Sequence, residues 1–197
     1  MSDFLSWVIK MVAEKMQTRT QRALEMALKA IEATDKIADK IKEKLKEEKV
    51  EEKELEEKAK EFCSKFRTRA ENGAMLISTL GIVPSLSFFY SKVGKSMYEE
   101  IAKIYDGKVD VSKLNMEMLI KDGKIAKEEI AYGLYLRFIL SFLYEEGVLQ
   151  SDEPMKVFEE LSNSDPIKVF LASKTLEPFL IECKKLASAM YKEEERT

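Results

Sequence analysis

Three pairs of adjacent carboxylates, Glu99-Glu100, Glu128-Glu129 and Glu145-Glu146, are the residues of this chain whose type invites acid–base or metal chemistry. Adjacent residues on a helix point about 100° apart, so the members of a pair do not converge on one proton or one metal ion. Histidine is absent from all 197 residues, which removes the commonest general base and the usual zinc ligand. Carboxylate-bridged iron bundles require Glu-x-x-His, so they are excluded as well. No Gly-rich loop leads into Lys-Ser or Lys-Thr, so the phosphate-cradling loop of nucleotide enzymes is missing. Cys63 and Cys183 stand far apart in no metal-like spacing. They read as small buried hydrophobes or as a disulfide of the kind some thermophiles keep inside cells. The sequence predicts no enzyme, no metal and no cofactor.

Cationic residues offer more. Arg22, Lys29 and Lys36 recur every seven residues, with Glu25, Glu32 and Asp39 beside them. Glu25 to Lys29 and Glu32 to Lys36 have the favourable four-apart order, worth about 0.3–0.5 kcal/mol each. The row therefore reads either as a self-neutralised solvent face or as a track for RNA phosphates. A second group comprises Lys65, Arg67 and Arg69, joined by Lys92 and Lys95 after the aromatic run Phe88-Phe89-Tyr90. Few acids compensate it along the chain before Glu99. It reads as solvated helix ends or as a phosphate-gripping patch, with Tyr90 available to stack on a base. Met75, Met97, Met116 and Met118 read as core or partner-helix contacts.

Helices must position these groups. Seven Gly and four Pro leave too few turns for an all-β fold, and Ala, Leu, Lys, Glu and Met lose least on entering a helix. The fold class is all-α: one helical bundle of six to seven helices over 1–197. The first long helix is expected to start near Asp3, with Leu24, Ile31, Ala38 and Leu45 and, between them, Ala27, Thr34 and Ile41 as its buried stripe. Residues 42–61 are nearly all Lys and Glu and are expected to project into solvent, as a hairpin tip or a long exposed helix. Asn72-Gly73 is a candidate interruption, and Gly81 with Pro84 marks a break. One helix is expected from Leu86 to Ile104, and a loop-rich stretch over 107–127 with a short helix near 113–120. Ile130 to Phe142 is a strongly apolar helix stopping at Gly147, and a short helix follows around 153–161. The last begins at Asp165-Pro166 and is jointed at Pro178.

A 35% charged fraction rich in Lys and Glu fits ion-pair networks and a thermophilic source. The apolar stretches Phe4–Ala13 and Gly133–Tyr144 are too short to span a bilayer, so a cytoplasmic protein is expected. A net charge of −3 gives no global pull toward nucleic acid, so any RNA surface must be a local patch.

The run Leu76-Ile77-Ser78-Thr79-Leu80-Gly81-Ile82-Val83-Pro84-Ser85-Leu86-Ser87-Phe88-Phe89-Tyr90-Ser91-Lys92 resembles a segment of the small helical subunit of the type III-B CRISPR effector, the Cmr complex. In that family a helix ends near the Gly and the next carries the Leu-Ala-Phe run up to Ser-Lys. Arg22-Ala23 near the start, and Lys174-Thr175-Leu176 through Lys185-Leu186-Ala187 near the end, resemble the family's opening and closing helices. Pro84 and Ser85 depart from the pattern, and 42–58 and 107–127 lengthen the chain. The resemblance implies a non-catalytic subunit that stacks head to tail in several copies as an inner filament beside the backbone subunits. Its basic face would line the channel where guide RNA pairs with target RNA. Arg19, Arg22, Lys65, Arg67, Arg69, Lys92 and Lys95 are then the expected phosphate contacts, with sequence read by base pairing. The competing expectation is an RNA-independent helical adaptor that binds only proteins.

Overall fold

The computed structural model describes residues 18–121 and 124–192. Among them it is an all-α bundle with eight α-helices and one two-residue β-ladder. Helix α1 (Arg19–Glu47) starts at Thr18, whose hydroxyl accepts from Gln21 N while the Gln21 side chain accepts from Thr18 N. This reciprocal cap satisfies two backbone donors at the helix end. The stripe-bearing helix thus begins at Arg19 and not near Asp3, which lies outside the described residues, as does Phe4–Ala13. Its buried face is wider than the heptad row, because Ala23, Met26, Ala30, Ala33 and Ile37 are also inside. Leu24, counted in the stripe, is 39% exposed; with Ala23 and Ala27 defining the face, position 24 falls outside it.

The turn that no Gly or Pro marks lies at residues 48–51. Val50 N donates to Leu45 O and Lys49 N to Lys46 O, while Lys49 adopts φ 60. That is a Schellman closure with lysine in the left-handed position that glycine normally takes. Helix α2 (Glu52–Leu80) then returns beside α1. The segment 42–61 is therefore a hairpin tip, but its apolar residues are not stray interruptions. Leu45, Leu55 and Ala59 are buried with Ile41 along the seam between the two helices, and Lys42 pairs with Glu56 across it at 3.1 Å.

Asn72-Gly73 does not interrupt α2. Gly73 sits in mid-helix because the Tyr135 ring lies on it, and a Cβ there would be 2.2 Å from Tyr135 Cε1. The break comes at Gly81 (φ 85), after which α3 (Ile82–Val93) starts, with Pro84 in its first turn, where no backbone donor is required. A second break at Gly94 (φ 75) separates α3 from α4 (Lys95–Ala102), so the single helix expected from Leu86 to Ile104 is two. The following stretch holds a 3₁₀ turn at Val111–Lys113, a one-turn helix α5 (Met116–Leu119) and strands β1 (Ile120–Lys121) and β2 (Lys124–Ile125). The ladder was not expected from the sequence.

Helix α6 (Lys127–Glu145) is the centre of the bundle. Every residue from Ile130 to Leu143 is buried, and α1, α2, α3, α4 and the last helix all pack against it. Helix α7 (Pro154–Ser162) precedes α8 (Pro166–Met190), which Asp165 caps by accepting from Ile167 N and Lys168 N. Pro178 does not joint α8, which continues through it. Phe142 stacks on Phe179 at 5.5 Å, locking α6 to α8. No described helix is long and apolar enough to cross a membrane.

Candidate nucleic-acid interface

The α6 termini organise the cations. At its start, Glu128 pairs with Lys65 at 2.8 Å and Arg69 at 2.8 Å. Arg69 also donates to the Tyr132 hydroxyl at 2.6 Å, and its guanidinium lies 4.3 Å from that ring's centroid. Lys92 sits 5.3 Å from the Phe88 ring, and Phe88 meets Tyr132 edge-on at 5.9 Å. The Lys65 hydrogen bond, with the charges of Arg69, Lys65 and Lys92, overcomes burial and holds the Glu128 carboxyl below its ordinary range. Lys65, Arg69 and Lys92 therefore gather around one carboxylate and leave a local positive surplus beside an aromatic edge.

At the other end of α6, Glu146 receives Arg22, and Arg19 at 3.4 Å. Arg22's hydrogen bond is the main cause of that carboxyl's depressed pKa. Glu128 and Glu146 are 18 residues apart along one helix axis, roughly 27 Å. The candidate residues thus form two clusters rather than one face.

Arg67 joins neither. Two residues from both Lys65 and Arg69, it points elsewhere, pairing with Glu71 at 2.8 Å and donating to Tyr191 O at 3.2 Å. Lys95 is well exposed and only loosely engaged with Glu99, at 3.8 Å. The carboxylate that partly compensates this group lies past Glu99, beyond the reach of the chain-local reading: Glu128 comes from 59 residues beyond Arg69 in sequence. On α1, Glu25–Lys29 and Glu32–Lys36 form ion pairs at 2.9 and 2.6 Å, so that row is largely self-neutralised. Tyr90 lies edge-on to Tyr98 and Phe158.

The paired acids separate as helical geometry requires. Glu100 is buried, accepting from Lys103 at 2.6 Å and from Asn115 N at 2.6 Å. Burial pushes its carboxyl up, but those contacts outweigh it and hold it low. Glu145 accepts from the Tyr105 hydroxyl at 2.7 Å while Glu146 faces the arginines. No group of three potential metal-ligating side chains occurs among the described residues. Cys63 and Cys183 are free, and burial pushes both thiols up to about 12. Met97 and Met116 pack on the core, whereas Met75 and Met118 are exposed.

One organising residue gives no sequence signal. Tyr191, at the end of α8, donates to Asp35 at 2.8 Å and packs edge-on against Phe66 at 6.5 Å. It borders a cleft of about 1190 Å³ between the α1–α2 arm and the α8 terminus.

Comparison with known proteins finds no matching family model and no matching curated sequence.

Proposed function

We propose that this chain is a non-catalytic structural subunit of a type III-B CRISPR RNA-targeting ribonucleoprotein. Several copies stack along its inner filament, and a basic surface contacts the backbone of guide and target RNA. The observation that carries the reading is the Gly81 corner. One helix ends there, and the next carries Leu86, Phe88 and Phe89 up to Ser91-Lys92, the arrangement that the resembling segment implies. The surplus charge of Lys65, Arg69 and Lys92 at the start of α6 supports phosphate contact at this place. Arg69, anchored on Tyr132 and Glu128, acts chiefly as a positioning residue, while Lys65, Lys92 and Lys95 present ammonium groups to the strand.

A second reading has its own observation. Ile167, Phe170 and Leu171, at 67%, 59% and 53% exposure, line one face of the first turns of α8, as a protein-binding adaptor would display. The two readings separate on Lys92→Glu with Lys95→Glu in the assembled complex. The RNA reading predicts weaker RNA retention and a shallower salt dependence with protein partners kept. Retention unchanged by both reversals favours the adaptor. Arg69→Glu is unsuitable, because it would set a carboxylate against Glu128 and disrupt the fold.

A further inference from the structure

Helix α8 starts before the helix it runs beside, and its overhang is apolar. Near its end the Tyr191 hydroxyl donates to Ile31 O at 3.3 Å and to Asp35 at 2.8 Å. Twelve residues earlier Phe179 stacks on Phe142, one turn before the Glu146 that holds Arg19 and Arg22 at the start of α1. The two helices therefore run parallel and in step, and α1 begins beside the Phe179 turn. At 1.5 Å per residue, α8 reaches back about 15 Å further, to Ile167. Lys168 and Glu160, paired at 2.6 Å, close the α7 side of this overhang. Ile167, Phe170 and Leu171 share the side left open. Apolar exposure continues at Leu24 and Leu28, on the side of α1 that presents Asp35 to Tyr191. The whole amounts to apolar surface on the order of a few hundred Å², the scale at which a patch marks a contact site.

The chain leading into α1 has matching chemistry. Eight of the thirteen residues from Phe4 to Met16 are Phe, Leu, Trp, Val, Ile or Met. They join α1 through its cap at Thr18, at the inner end of the overhang. Thirteen residues span about 20 Å wound as a helix and about 40 Å extended, so either way they reach Ile167. A tethered segment also meets the face at an effective concentration of roughly millimolar order, which a separate molecule has to exceed. We propose that residues 4–16 of this chain cover the apolar face of Ile167, Phe170 and Leu171. The contact withdraws that face from other proteins, so a partner gains it only by displacing the segment.

Trp7 is the one tryptophan of the sequence, so the fluorescence of the intact chain reports on this segment alone. The native chain should emit to the blue of the denatured chain and resist quenching by acrylamide. Ile167→Glu with Phe170→Glu sets two carboxylates in the contact. The change should lower the docking constant at least about tenfold and carry emission and quenching towards the denatured values. Both positions are exposed, so helical circular dichroism and a cooperative melt should persist. Ile167→Ala with Phe170→Ala, which adds no charge, should shift the emission in the same direction by less. Met118→Glu, at an exposed position on α5, should leave it unchanged. A Trp7 as open to solvent in the native chain as in the denatured one overturns the proposal. So does a shielded Trp7 that the α8 variants leave shielded, or one that Met118→Glu exposes equally. Shielding that develops only as protein concentration rises, alongside a dimer in sedimentation, also overturns it and assigns the face to a second copy.

Discussion

Gly73→Ala is the sharpest test of how the bundle is packed. In an isolated helix the change would stabilise by about 1 kcal/mol, because glycine is the poorer helix former. Here the new Cβ would lie 2.2 Å from Tyr135 Cε1, 2.6 Å from its hydroxyl and 2.7 Å from Cζ. The ring has nowhere to go, since it is fully buried and held edge-on by Phe66 at 6.4 Å and Phe89 at 5.6 Å. Overpacking of a closed core costs about 1–3 kcal/mol, and an approach this short belongs at or above the upper end. Subtracting the propensity gain leaves a net loss of about 2 kcal/mol, or about 4–8 °C in melting temperature for a chain of this size. Urea denaturation should show a lower midpoint with an unchanged slope. In a Tyr135→Leu background the clash is gone, so the same substitution should become neutral or stabilising, a coupling that a double-mutant cycle reads directly. Gly73→Ala as stable as the parent, or equally harmful in both backgrounds, would refute the packing of α6 on α2.

The left-handed Lys49 at the hairpin turn predicts that Lys49→Gly stabilises by about 1 kcal/mol, measured by the same denaturation. Glu71, Glu100, Glu128, Glu146 and Glu160 all have carboxyls held below the ordinary value. The unfolded chain therefore binds more protons as pH drops below about 5, and stability should fall steadily with acidification. At the other end, both thiols are raised from 9.0 to about 12, so folding binds protons that the unfolded chain releases, and stability should decline between pH 9 and 12. With no histidine in the chain, the profile of melting temperature against pH should be flat from about pH 6 to 8; a step there would contradict the assignment. Lys92→Glu with Lys95→Glu should leave the melting temperature within about 2 °C, as expected for surface positions. The same pair should make the salt slope of RNA retention shallower by about 0.7 for each phosphate that is no longer neutralised.

Legibility followed the range over which each signal acts. The Asp165-Pro166 start, the Gly81 break and the buried run of α6 are local features, and each was readable. The turn at Lys49 was not, because the strained lysine leaves none of the usual Gly or Pro marks. Gly73 and Gly94 look alike in sequence, yet one sits inside a helix under a tyrosine ring and the other ends a helix at positive φ. Tertiary packing alone separates them. The candidate interface shows the same limit. The run Lys65 to Arg69 reads as one basic group, but a helix turns Arg67 away from its neighbours. Its neutralising carboxylate, Glu128, arrives from a distant helix, as does Glu146 at the arginines of α1.

Membership of an RNA-guided assembly is tested most directly by affinity purification of the tagged chain from the cells that encode it. Mass spectrometry of the retained proteins and sequencing of the retained RNA should recover CRISPR-associated backbone subunits together with short guide-like RNAs. A clean purification with unrelated protein partners and no short RNA would contradict that membership and leave the helical adaptor as the function of this bundle.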